Sequence, residues 1–253
     1  MSTIDLQRPA VPLGRLVAVE LRKMIDTRAG FWLLAVIGII DLLIMLAMVL
    51  WVEKDFLTFS NFLSAMALPM NLLLPVLGIL SITQEWGQRT ALVSFTLVPR
   101  RARVVVSKLL ASVVLALASL VVAMVLAAIG AVLGGGNNVW EMETRDFVAW
   151  PILQVIGLIH GFAFGMLLLS SALAIVVYVV YLFLVPTVFQ VLSGVTDWGG
   201  DVQRWLDFGT LQGQVFNDPQ PDNIWLRLLV SGLVWLGIPF AVGLWRVLRS
   251  EVK

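Results

Sequence analysis

The chain has 253 residues, 60% of them apolar and 13% charged, with a formal net charge of +1. A soluble domain is roughly 45–50% apolar and about 25% charged, so a water-soluble globular fold is excluded: no interior of this size hides the excess. The same composition excludes disorder. The absence of cysteine excludes a disulfide scaffold, and near-neutral charge offers no field for nucleic acid. An all-α, polytopic membrane protein remains.

In chain order, residues 1–29 form a charged leader. Within it, 13–28 reads as an amphipathic helix. Leu13, Val17, Leu21, Met24 and Ile25 fall on one arc, with Arg15, Arg22 and Asp26 opposite. That pattern suits a helix lying on the membrane surface, its basic residues toward lipid headgroups. Apolar runs at 30–52, 62–82 and 104–133 each meet the ~20 residues needed to cross ~30 Å of hydrocarbon. Residues 151–192 carry no charge and as one helix would reach ~63 Å, about twice the bilayer. They are therefore read as two spans, 151–169 and 172–192, folding back near Ser170 and Ser171. The last span is 224–247. The first is no cleavable signal, being too long and lacking a small-residue cleavage site.

Charge placement supports six spans with both ends in the cytoplasm. The inner segments then hold 13 basic and five acidic residues, and the outer ones four basic and ten acidic. This obeys the positive-inside rule, and a five-span count would put Arg246, Arg249 and Lys253 outside. Asp41 alone remains within a span, at mid-bilayer, where an ionised Asp costs roughly 2.5–3.5 kcal/mol. It must be protonated, paired or facing water. It is either a proton, cation or substrate contact, or a hydrogen bond to another helix or a second copy.

The inner loop 83–103 carries the most information. A polar opening with Glu85 and Trp86 leads through Arg89 and Thr90 into an apolar-polar stretch containing Leu92 and Phe95. Pro99 stops it, and Arg100, Arg101 and Arg103 mark the return to the membrane. About two turns of apolar side chain facing cytoplasm need a partner to cover them. Lys108, just inside the third span, reads as a snorkelling anchor.

This loop resembles that of type-2 ABC transporter permeases, especially small actinobacterial ones. In those, a Glu-containing turn, a short coupling helix, a Pro-Arg step and a Lys join the second and third spans. Glu85, Arg89, Thr90, Pro99, Arg100 and Lys108 follow that pattern. The resemblance implies that residues 85–98 dock on a separate ATPase subunit, in two copies, and that the permease pairs with a second copy or a paralogue. It further implies ATP and Mg on the ATPase, and a bacterial cytoplasmic membrane. The chain itself has no P-loop, H-E-x-x-H or G-x-S-x-G, so it is expected to bind no cofactor or metal and to be no enzyme.

Within the spans, Gly157, Gly161 and Gly165 make a row at four-residue spacing that lets another helix approach. His160, the single histidine, lacks ligating neighbours at metal spacing and reads as a packing residue. Pro69, Pro75, Pro186 and Pro239 interrupt three spans. Ser64, Asn71, Gln154, Thr187 and Gln190 are the polar groups that can face a pathway, with Asn71, Gln190 and Asp41 as leading candidates. So little charge suits an apolar or amphiphilic cargo. The outer loop 193–223 is expected to hold two short helices, one capped by Asp201 and stopped by Gly209, the next capped by Thr210. The expected function is the permease subunit of an ATP-driven exporter. The alternatives are a secondary transporter or channel using Asp41, or a membrane scaffold.

Overall fold

A computed structural model describes residues 11–87, 100–136 and 138–249, and these contain helices and no strand. Helix α1 (Leu13–Asp26) precedes α2 (Arg28–Trp51) and α3 (Phe59–Gly87). Beyond residues 88–99 come α4 (Arg101–Gly134), α5 (Thr144–Leu168) and α6 (Ser171–Val195). Two short helices follow, α7 (Gly199–Leu206) and α8 (Phe208–Gln214). The last span is α9 (Ile224–Gly232), a π-helical turn Leu233–Gly237, and α10 (Ile238–Arg249). Among the described residues, six helices are long and apolar enough to cross a membrane, the last built from α9 through α10. The protein is thus of multi-pass membrane type.

Exposed tryptophans mark the boundaries. Trp32 and Trp245 ring the end that carries α1, and Trp51, Trp140, Trp198, Trp205 and Trp225 ring the other. Along α2, Trp32 and Trp51 are separated by about 28 Å at 1.5 Å per residue, the thickness of a hydrocarbon core, and indole rings favour both of its faces. Both described chain ends lie at the α1 end. Arg103 Nη2 donates to the Val11 carbonyl (2.6 Å), and Arg101 Nη1 donates to the Leu248 carbonyl near the end of α10 (3.4 Å).

Helices α3 and α5 form the centre and pack most extensively on each other, whereas α2, α6 and the last span turn broad apolar faces outward. Small residues allow the central crossing. A β-carbon on Gly161 would collide with the Pro75 carbonyl, and one on Gly78 would lie 2.6 Å from the Leu158 carbonyl. Gly165 meets Ile82 Cγ2 at 2.5 Å and Ile79 Cα at 3.0 Å in the same way. Gly157 departs from the expected packing row: a β-carbon there would meet nothing within 4 Å.

Several expectations shift. The α5–α6 fold-back is made by Leu169 in the left-handed conformation (φ 53°), with its N–H bonded to the Gly165 carbonyl. Ser170 then extends before α6. Helix α5 starts at Thr144, two turns before the predicted 151, so that Pro151 lies inside the helix and leaves the Phe147 carbonyl without its usual backbone N–H. In the 193–223 segment the cap of the second short helix is Asp207, not Thr210. Asp207 Oδ1 accepts from the Thr210 N–H (3.1 Å) and Oδ2 from the Thr210 hydroxyl (2.7 Å). Gly209 lies inside α8 rather than ending α7, and α7 begins at Gly199 with Asp201 in its first turn.

Candidate functional site

Four of the residues assigned to inner segments in the sequence argument, Glu20, Lys23, Glu85 and Lys108, meet at the α1 end. The acidic side chain that the amphipathic pattern left unassigned, Glu20, is 8% exposed, while Leu13 and Ile25 of the expected apolar arc are exposed. The reason is that α1 docks on α4 as well as on α2, so the face carrying Glu20 and Met24 turns inward. Met24 Sδ accepts from the Ser112 hydroxyl (3.7 Å), which also reaches Ser81 Oγ (3.3 Å).

Glu20 meets a buried lysine. Lys108 Nζ donates to Glu20 Oε2 at 2.7 Å and to Glu85 Oε1 at 2.9 Å. Lys23 Nζ donates to Glu20 Oε1 at 2.8 Å and to the same Glu85 oxygen at 3.0 Å. Four side chains from α1, α3 and α4 therefore close a ring of two carboxylates and two ammonium groups. Lys108 does not snorkel: its side chain is 4% exposed, because Glu20 and Glu85 supply inside the protein the partners that water would otherwise provide. A buried charge is tolerated only with such partners. Lys23, outside the spans and half exposed, is pulled down by burial, but its bonds to Glu20 and Glu85 outweigh this and hold it above the ordinary lysine value.

The ring sits where α3 leads into residues 88–99. Trp86, one residue past Glu85, packs on a cluster of Ile82, Val105, Phe162, Met166 and Val247. Arg100 stands exposed at the start of α4. Arg89, Thr90, Leu92, Phe95 and Pro99 lie outside the described residues. The other side of α3 is tied to the α5–α6 turn, where the Thr83 and Ser171 hydroxyls meet at 2.7 Å.

Toward the opposite end, α3, α5, α6 and α8 enclose a cavity of about 410 Å³. Asn71, Gln154, Gly157, His160, Tyr178 and Phe216 are among its lining residues. A proline next to this wall links two of its residues, Asn71 and Tyr178. Pro75 has no N–H for the carbonyl four residues before it, and the Tyr178 hydroxyl donates to that freed Asn71 carbonyl (3.4 Å). The His160 ring is caged by Phe164, Tyr178, Tyr181 and Phe208, with centroids 4.8–5.7 Å away. Phe216 lies over Trp150 at 4.4 Å. Trp235 Nε1 donates to the Leu206 carbonyl (2.8 Å), tying the last span to α7.

Of the pathway candidates, Asn71 lines this cavity, as do Ser64 and Gln154. Gln190 and Thr187 do not; both are exposed on α6. Asp41 lies apart, 2% exposed, with Oδ1 shielded and without a hydrogen-bond partner. Glu20 and Lys23 were missed by sequence reasoning. The available signal was Glu20 standing three residues before Lys23 on an amphipathic helix, which a solvated pair would equally produce. Comparison with protein families and with characterised proteins returns no match.

Proposed function

We propose that the chain is the permease subunit of an ATP-driven exporter in a bacterial cytoplasmic membrane, working with a separate ATPase. The observation that carries this reading is the Glu20–Lys108–Glu85–Lys23 ring. A loop that only joins two spans needs no rigid base. Here the helices on both sides of residues 88–99 are locked to each other and to α1 through a buried charge. A push on that loop is then transmitted to α3 and α4 as rigid elements instead of being absorbed by local bending.

Helix α3 carries such a displacement inward. Asn71 lies about 21 Å along α3 from Glu85 at 1.5 Å per residue, and between them Pro75 and Gly78 bear directly on α5 at Gly161 and Leu158. Both walls of the cavity would shift together. ATP and Mg belong to the partner subunit, of which two copies are expected beside a second permease.

Co-purification tests the reading. The tagged chain, extracted in mild detergent, should retain an ATPase subunit, and Arg89→Ala with Phe95→Ala should release it without unfolding the permease. A native complex lacking any ATPase would refute it. A second reading, proton- or cation-coupled transport, has one observation in its favour, the unpartnered Asp41 carboxylate oxygen. It predicts that Asp41→Asn abolishes transport while loop substitutions leave it intact.

A further inference from the structure

We propose that the cavity between α3, α5, α6 and α8 binds an uncharged, ring-bearing molecule carrying carbonyl or ether oxygens. Its volume of about 410 Å³ falls within the roughly 300–1,000 Å³ of small-molecule sites. Trp150, Gln154 and His160 are buried residues of its wall, and each keeps a polar nitrogen, Nε1, Nε2 and Nε2 respectively, with no partner. Buried polar groups are nearly always satisfied; these three nitrogens lie shielded within wall residues, so a small rotation of their side chains toward the cavity would let a ligand supply the missing contacts. An indole N–H can only donate, and the Gln154 amide also offers N–H. For these two the complementary groups are acceptor oxygens, whereas Nε2 of a neutral His160 imidazole takes a donor or an acceptor according to its tautomer.

Charge is ruled out by the lining. Among the described residues no Lys, Arg, Asp or Glu lines the cavity, and Asp207 beside Gly209 is already committed to Thr210. An anion or cation would enter without a counter-charge. Phospholipid headgroups are excluded for the same reason, and an acyl chain would leave the N–H groups unmet. Aromatic faces from Tyr178, Tyr181 and Phe216 favour a ring over a flexible chain. Gly157 faces open space, which makes room for that ring.

The inference sharpens the cargo of the proposed exporter but is tested without nucleotide or ATPase, so either can fail alone. The probe is benzophenone, a neutral diaryl ketone that cross-links on ultraviolet illumination, applied to the full chain in zwitterionic phospholipid nanodiscs. Cross-links should be saturable and concentrate on peptides covering 150–160 and 178–182. Gly157→Leu, which fills the cavity and favours helix, should cut them at least tenfold. Gly38→Leu, where a β-carbon also meets nothing within 4 Å but on the outward-facing α2, should leave them unchanged. Trp150→Phe and Gln154→Leu should each weaken labelling about three- to tenfold. Labelling spread over α2 and α6 and indifferent to Gly157→Leu would overturn the proposal. So would a phospholipid that co-purifies with the wild type, is released by Gly157→Leu and excludes the ketone.

Discussion

Replacing Lys108 by Met separates a structural lysine from a membrane anchor. The wild-type ammonium lies 2.7 Å from Glu20 and 2.9 Å from Glu85, with 4% of its side chain exposed. Methionine preserves the stem but leaves two largely buried carboxylates sharing Lys23, whose side chain is 46% exposed. Removing one partner of a buried ion pair costs about 3–5 kcal/mol, since the remaining charge stays desolvated. At roughly 2–4 °C per kcal/mol for a chain of this length, the melting temperature should fall by roughly 6–20 °C. Lys108→Met combined with Glu20→Gln restores charge balance between Glu85 and Lys23, and should recover most of the loss. The assay is thermal unfolding of the purified chain in nanodiscs, with the double-mutant cycle giving the coupling. A single-mutant loss below about 1 kcal/mol, the value of an exposed pair, would refute the buried ring and return Lys108 to a snorkelling role.

Lys23→Met should destabilise by no more than about 1 kcal/mol, because half its side chain is solvated. The folded Lys23 value is raised, so its contribution is fully present below the ordinary lysine range near ~10.4 and is lost as pH rises through the higher folded value. Wild type and Lys23→Met should therefore differ at pH 7 and converge in strong alkali, read by thermal unfolding at each pH. Gly161→Ala should cost about 1–3 kcal/mol, since the new methyl meets the Pro75 backbone. Gly157→Ala should instead stabilise by up to about 1 kcal/mol through helix propensity; melting temperatures shifted in the same direction would contradict the difference between the two sites. Asp41→Leu should raise the melting temperature, because the buried carboxylate has an unpartnered oxygen. A lower melting temperature would mean that Asp41 has a stabilising partner in the assembled protein.

Helix number, approximate span ends and the amphipathic α1 follow from the sequence because they depend on length and hydropathy alone. A run of ~20 apolar residues has one way to satisfy its backbone inside a bilayer. The fold-back near Ser170 was legible for the same reason, since the uncharged stretch is twice a membrane thickness. What tertiary structure decided is which side chains meet. Lys108 reads as an anchor in isolation, and becomes a buried ion only because α1 and α3 bring Glu20 and Glu85 to it across 88 and 23 residues of sequence. The glycine row looks uniform in one dimension. In three, Gly161 and Gly165 press on α3 whereas Gly157, one turn away, opens into the cavity. Trp150, Gln154 and His160 carry no motif, and their shared feature, three unmet buried nitrogens around one space, exists only once α3, α5, α6 and α8 have packed. Hydropathy is a property of segments, but burial and partnership are properties of neighbours, and a sequence does not specify which neighbours until the helices cross.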